Sequence, residues 1–394
     1  MKKYLSQRVQ RIKPSPTLAI TARAKELKAA GKDIIGLGAG EPDFDTPEHI
    51  KKAAIDAIKK GFTKYTAVDG TPELKQAIIG KFQRENGFSY EPNEILVSCG
   101  GKHSFYNLAE ALLCPGDEVV IPAPYWVSYP DMVLLANGEP VIIKSGLEKK
   151  FKISPQQLEA SVTPNTRMVV LNSPSNPTGA MYTEEELAAL GDVIRQHPNL
   201  LVVTDDIYEH IMLTDQPFVN ILNVCPDLKE RCVVLNGVSK AYSMTGWRIG
   251  YAAGPDWLIQ AMKKIQSQST SNPASISQAA AQAALNGDQS CIGEMVKAFR
   301  KRHDYVVKAL NDINGISCLP SQGAFYSFPN CQEAINAIDG VKNDVEFAEY
   351  LINEVGVALV PGSAFGAPGY MRLSFATSLE NLQDAIGRLE SILP

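Results

Sequence analysis

Between about residue 50 and residue 260, short apolar runs alternate with stretches of helical periodicity. The runs are EILVS (94–98), DEVVIP (117–122), RMVVL (167–171), NLLVVT (199–204) and RCVVLN (231–236). They are rich in β-branched residues and too short for helices, so they read as strands. Nearly continuous apolar strands separated by helices predict a mostly parallel sheet covered on both faces. The helices are marked by their own signals. TEEELAALGDVIRQH opens with Thr183 and Glu186 in capping-box spacing. SFYNLAEALL sets Phe105, Leu108 and Leu112 on one face, and a helix is expected from near Ser104.

From about residue 290 the pattern changes. A long charged helix, EMVKAFRKRHDYVVKAL, leads into a smaller α+β region with strands near AFYSF and MRLSFA. The expected organisation is an α/β protein in three parts: an N-terminal segment (1–45) packing with the small domain, a large domain (46–290) and a small C-terminal α+β domain (291–394).

Composition narrows the class. The 394 residues are 45% hydrophobic and 21% charged, with a net charge of −5. That balance gives a full core and argues against nucleic acid or an anionic membrane as partner. No apolar stretch is long enough to span a bilayer. The opening MKKYLSQRVQRIKPSPT is basic but lacks the apolar core of a secretory signal. Seven scattered cysteines form no CxxC pair and no metal spacing. They read as reduced thiols of a cytoplasmic protein, with no metal expected.

In open parallel sheets, ligands bind beyond the carboxyl ends of the strands. Four of the five runs lead there into a polar or glycine-rich motif: Gly100-Gly101-Lys102, NSPSNPTG, DDIY and GVSK. Any one could be a turn, but four at one edge indicate a ligand. Glycines ahead of a helix N-terminus, followed by a lysine, suit an anion. Arg248 could add a bidentate phosphate contact or be a surface arginine. Asp205, ending a strand, needs a cationic partner or serves as a cap. Tyr208 follows it by one turn, and Asn176 sits in a proline-bounded loop. Trp126 in PYWVSYP could stack on a ligand or belong to the core. Arg372 in MRLSFA is an arginine inside a strand-like run, calling for a carboxylate. GLGAG (36–40) lacks the βαβ frame of a dinucleotide site. Lys240, in SKAYSMTGWRIGY, stands among small residues rather than on a charged face.

Taken together, RIKPSPT, GAGEPDFDTPEHI, KYTAVDGTPELK, GGK, PYWVSYP, NSPSNPTGA, DDIYEH, SKAYSMTGWRIGY and MRLSFATS resemble the fold-type I aminotransferases that use pyridoxal 5′-phosphate. The resemblance covers nearly the whole chain and is nearest to bacterial aspartate aminotransferases of the Iβ subgroup, some of which accept prephenate. It implies that the large domain binds the cofactor and that the Lys240 amine condenses with its aldehyde. Asp205 then pairs with the pyridine nitrogen, Asn176 and Tyr208 hold the ring hydroxyl, and Trp126 stacks on the ring. Gly100, Gly101, Lys102, Ser239 and Arg248 surround the phosphate, and Tyr65 reaches it from the other subunit of a homodimer. Arg372, Gly40, Trp126 and Asn176 meet the amino acid, with Lys13 closing over a dicarboxylic side chain. Ser267 to Thr270 are expected to line the same pocket. The implied reaction moves the amino group of aspartate to 2-oxoglutarate; prephenate, aromatic amino acids, alanine or kynurenine are alternatives on the same site.

Overall fold

The computed structural model describes residues 4–393. β1 (Ile35–Gly36) stands apart from the seven strands that follow it. These are β2 (Ile95–Ser98), β3 (Glu118–Ala123), β4 (Glu139–Lys144), β5 (Thr166–Asn172), β6 (Leu201–Asp205), β7 (Cys232–Gly237) and β8 (Gly250–Ala253). They form one sheet in the order β2-β8-β7-β6-β5-β3-β4. From β7 to β4 every pairing is parallel. β8 alone is reversed, antiparallel to both β2 and β7. The mostly parallel sheet read from the sequence is present, and all five apolar runs point the same way in it.

Two strands escaped the sequence pattern. β8 is only GYAA, with too few β-formers to stand out. β4, EPVIIK, lies at the sheet edge with much of its surface open, so its polar ends blur the apolar run.

Period-two alternation divides the sheet's side chains between two layers. Val97, Val120, Val169, Val202 and Val234 face one core, joined by Leu74 and Ile78 of the helix Pro72–Lys81 and Leu187, Leu190 and Ile194 of the helix Glu184–Gln196. Leu96, Ile121, Val170, Val203 and Leu235 face the other, against Phe105 and Leu108 of the helix Gly101–Leu112 and Leu258, Ile259 and Met262 of the helix Asp256–Ser267. Each such side chain contributes about 1.5–3 kcal/mol when fully buried. Thr183 caps the helix Glu184–Gln196 with Glu186, in the capping box expected.

β9 (Tyr326–Ser327), β10 (Val357–Ala358), β11 (Val360–Pro361) and β12 (Met371–Ser374) build the C-terminal region. β11, β12 and β9 form an antiparallel sheet, and β10 pairs in parallel with β1, placing Ile35 opposite Val357. The chain's beginning thus completes a sheet made by its end. Ala24 and Leu27 of the helix Pro16–Ala29 pack on Ile352 and Ala358 beside it. The helix Ser290–Asn311 buries Phe299, Val306 and Leu310 against Phe325 and Phe375. Among the described residues no helix is long and apolar enough to cross a membrane, and all seven cysteines are free thiols.

Candidate active site

A cavity of about 430 Å³ opens at the carboxyl edge of the large sheet. Gly40, Gly101, Lys102, Trp126, Asn176, Asp205, Tyr208, Ser239, Lys240, Arg248 and Arg372 all line it. Most arrive from widely separated parts of the chain because parallel strands deliver their following loops to one edge, while Gly40 and Arg372 come from beside β1 and from β12. Arg248 arrives differently: it precedes the reversed strand β8, which starts where the others finish.

Lys240 follows β7, its amine donating to the Gly40 carbonyl at 2.5 Å. It forms no ion pair among the described residues. Burial, then the charges of Arg372 and Arg248, lower its pKa to about 8, against the opposing pull of Glu41 and Asp205. An amine so placed is more often neutral, and hence nucleophilic, than an exposed lysine.

Asp205 closes β6, its Oδ2 accepting a 2.5 Å hydrogen bond from the Tyr129 hydroxyl. Burial pushes its carboxyl pKa up, and no cation lies within ion-pair distance among the described residues. Asn172 ties this strand end to the next motif: its Nδ2 donates to the Asp205 carbonyl and its Oδ1 accepts from the Asn176 amide, both at 2.8 Å. Behind the turn, the Glu209 carboxylate accepts from Asn86 Nδ2 at 2.9 Å and Asn236 Nδ2 at 2.6 Å, and is paired with the fully buried Lys81. Glu85, Glu209 and His210 lie close together, but the Lys81 ammonium and the Arg84 guanidinium already pair with its two carboxylates.

Gly100 has φ 91°, and a Cβ there would lie 2.5 Å from Arg248 Nη2. The following helix begins at Gly101, earlier than the Ser104 expected, so Gly101 and Lys102 occupy its first turn. The glycines do not continue the strand, and no side chain caps the helix, leaving the Gly101 and Lys102 amides free at its N-terminus. Arg248 bonds only carbonyls, those of Thr245 and Cys99, and neither it nor Lys102 is ion-paired among the described residues. Burial and the nearby Arg248 lower the Lys102 pKa. Lys102 Nζ stands 5.2 Å from the Trp126 ring centroid.

Arg372, on β12, is 2% exposed. Its Nη1 donates to Asn176 Oδ1 at 2.9 Å and its Nη2 to the Gly38 carbonyl at 2.7 Å, while Nε is buried without a partner. The carboxylate that a buried guanidinium calls for is missing from the described protein. These four features are unfilled demands: an anion at the Gly101 helix, a cation at Asp205, an electrophile at Lys240 and a carboxylate at Arg372. Pyridoxal phosphate offers a phosphate, a pyridine nitrogen and an aldehyde, so the residues present fit that group.

Three expected residues lie outside the cavity lining. Gly100 sits just behind it, against Arg248. Lys13 is exposed, with its backbone and charge turned to Asp131, while Ser15, Thr17 and Leu18 line the cavity instead. Tyr65 is 92% exposed in this single chain. Ser267 to Thr270 also lie away from the cavity of this chain, at and after the end of the helix Asp256–Ser267. GLGAG runs from β1 into the cavity wall at Ala39 and Gly40, and the next helix after it starts only at Glu48, unlike a dinucleotide site.

Sequence reasoning missed Tyr129, Asn172, Glu41, Asn236 and Tyr326. Tyr129 and Asn172 lie within motifs already singled out, PYWVSYP and NSPSNPTG, at helical or turn spacing from Trp126 and Asn176. Glu41, Asn236 and Tyr326 also lie in quoted segments, GAGEPDFDTPEHI, RCVVLN and AFYSF, but at positions read there only as part of a motif or strand.

Sheet topology and the side chains gathered at its carboxyl edge are those of an α/β enzyme. The chain belongs to the class I and II aminotransferases, whose family pattern matches residues 32–389, and which depend on pyridoxal phosphate. It is 64% identical over 394 residues to an aspartate/prephenate aminotransferase of Nitrosomonas europaea, covering 99% of each chain. It is 52% identical over 389 residues to an aspartate aminotransferase of Geobacillus stearothermophilus, covering 99% of this chain and 98% of that one. Among solved structures, the aspartate aminotransferase of Rhizobium meliloti superposes with TM-score 0.96 at 49% identity over 99% of both chains. That of Thermus thermophilus, solved with maleate, superposes with TM-score 0.93 at 43% identity, again over 99% of both.

Proposed function

We propose that this enzyme transfers the amino group of L-aspartate to 2-oxoglutarate, using pyridoxal phosphate bound at Lys240. The observation that carries the reading is Arg372, a buried guanidinium with an unpartnered Nε and no protein carboxylate, in the same cavity as the depressed-pKa amine of Lys240. One takes the carboxylate of an amino acid, the other its α-proton.

The cofactor, when bound, supplies a conjugated ring that withdraws electrons from the substrate Cα. Lys102, Arg248, Ser239 and the Gly101 amide would hold its phosphate, with Gly100 giving the room. Asp205 would keep the pyridine nitrogen protonated, itself held ionised by Tyr129. Asn176 and Tyr208 would hold the ring oxygen, and Trp126 would cover the ring. Lys240 takes the Cα proton as general base and delivers it again as general acid. Arg372 fixes the α-carboxylate, so that the bond to hydrogen rather than to carboxylate is presented for cleavage. The second chain of a homodimer would contribute Tyr65. The three-part division at 1–45, 46–290 and 291–394 puts Arg372 and Lys240 on separate bodies, so closure brings them to bear together.

The cations Lys102, Lys240, Arg248 and Arg372 outnumber Asp205 and Glu41 in the cavity lining, which suits a phosphorylated cofactor and a substrate α-carboxylate. The Thermus thermophilus relative was solved with maleate, a dicarboxylate. Lys13 would pair the distal carboxylate on closure, exchanging Asp131 for substrate. Prephenate is the second reading: the Nitrosomonas europaea and Cereibacter sphaeroides relatives are named for both substrates, and prephenate also carries two carboxylates. Steady-state kinetics with aspartate, alanine and phenylalanine as donors, and 2-oxoglutarate and prephenate as acceptors, tests this. Aspartate is expected to give the highest kcat/KM among donors; a tenfold preference for another donor overturns the reading.

A further inference from the structure

Tyr326 lies on β9, beside the strand that carries Arg372, and is fully buried. Its hydroxyl is 2.8 Å from that of Tyr208. Its ring lies under the Arg372 guanidinium, 4.4 Å from centroid to Cζ. Its hydroxyl also accounts for Gly40, where a Cβ would come within 2.9 Å of it. The Ser321 hydroxyl pins the Tyr326 carbonyl at 2.5 Å and reaches the Thr178 carbonyl at 3.2 Å, fixing this strand against the NSPSNPTG loop. One side chain thus touches the Asp205–Tyr208 turn, the Arg372 strand and the Gly40 segment.

We propose that Tyr326 is a positioning residue for amino transfer, its hydroxyl donating to Tyr208 and its ring seating the Arg372 guanidinium. The inference rests on the reading of Tyr208 as a donor to the cofactor's ring oxygen. A phenol has one proton. Were Tyr208 to donate to Tyr326, it would have none for the ring oxygen. With Tyr326 as donor, the chain Tyr326 to Tyr208 to ring oxygen runs one way, and each bond polarises the next. The charged groups around the pair are Lys240, 5.9 Å above the Tyr208 ring, Arg372 and Asp205. Neither cation can accept a hydrogen bond from a phenol. The face of the Tyr326 ring meets Arg372 as a cation–π contact, which supports the guanidinium by its flat face and leaves its N–H edge for a carboxylate.

The test uses holoenzyme carrying Tyr326→Phe, Tyr208→Phe, both together, or Tyr326→Leu. The first readout is the pH midpoint of the bound cofactor's visible absorption change without substrate. A weaker donor at the ring oxygen favours the protonated form, so Tyr326→Phe should raise the midpoint by about half a unit. Tyr208→Phe should raise it further, and adding Tyr326→Phe to it should change nothing more. KM for aspartate should stay within about twofold in Tyr326→Phe and rise about fivefold or more in Tyr326→Leu, which removes the ring face. An unmoved midpoint in Tyr326→Phe, with Tyr208→Phe shifted, overturns the proposal and leaves Tyr208 in its role. An unmoved midpoint in both removes the reading of Tyr208 on which the proposal rests. Equal KM in the Leu and Phe variants overturns the seating of Arg372.

Discussion

The Tyr129 hydroxyl donates a 2.5 Å hydrogen bond to Asp205, binding a helix of one layer to the strand end at the centre of the site. Burial alone would leave the Asp205 carboxyl protonated more often, and Tyr129 is the largest influence acting the other way. Tyr129→Phe keeps the ring packed on Phe105 and Trp126 and deletes only the donor. Losing a hydrogen bond to a buried charge costs about 1.5–3 kcal/mol. Since the ionised Asp205 matters most with a cation beside it, the loss should appear as roughly ten- to hundredfold weaker cofactor retention, measured by equilibrium dialysis.

Lys240 trades stability for reactivity. Its folded pKa is about 8, below its ordinary 10.5. Between those two values the unfolded chain holds a proton that the folded chain has released, so this lysine's contribution to stability rises with pH there. Below pH 8 it opposes folding by about 3 kcal/mol. Lys240→Met should therefore stabilise the cofactor-free protein at pH 7, and the advantage over the unaltered chain should shrink towards pH 10.5. Urea unfolding at both pH values checks the sign; a constant difference would mean that the amine is not desolvated.

Arg372→Lys retains charge but loses the planar fork and the stack on Tyr326 and Phe365. We expect kcat/KM for aspartate to fall about a hundredfold, in line with the loss of a bidentate carboxylate pair. The visible spectrum of the bound cofactor should change little, because Arg372 is assigned to the substrate. Loss of cofactor in this variant would move Arg372 to the other role.

Lys81 and Glu209 are a buried ion pair that holds the 205–210 turn from behind. Lys81→Met leaves Glu209 charged and buried, at a cost of about 3–5 kcal/mol. Lys81→Met with Glu209→Gln should recover much of that loss. Chemical denaturation of the three variants shows whether the pair is mutually compensating; a double variant no better than the single would say that it is not.

Tyr65 presents nearly all of its surface to solvent in one chain. If it completes a neighbouring site, Tyr65→Phe should speed loss of cofactor about tenfold, the effect of one lost hydrogen bond to a charged group, while the unfolding midpoint of the cofactor-free chain stays put. Sedimentation equilibrium should return twice the 42.8 kDa chain mass.

The sheet was legible where the strands are buried on both faces, as in RMVVL and NLLVVT, because continuous apolar runs have few other uses. It was illegible in β8, where small residues pack against the Gly100-Gly101 backbone and a side chain at Gly250 would collide with it. The cavity was legible where its groups follow strand ends in the chain, as at Gly101, Asn176, Asp205 and Lys240. Tyr129 and Tyr326 were not, because a tyrosine in an apolar neighbourhood looks like core until its hydroxyl partner is known. Lys13 shows the converse: its pairing depends on which of two charged partners faces it, and a sequence carries no distances.

Because β8 runs against its neighbours, the segment 238–249 leaves the sheet and returns to it at one place. Gly237 and Gly250 face each other across its neck, and the Val238 amide bonds the Ile249 carbonyl. Lys240 and Arg248 therefore ride on a single noose whose two ends are drawn together, where the other loops of that edge cross over to a new strand. The spacing between amine and guanidinium is set within the noose and owes nothing to the C-terminal helices. Such a piece could be lifted whole into a kindred sheet and still present its two cations at the same separation.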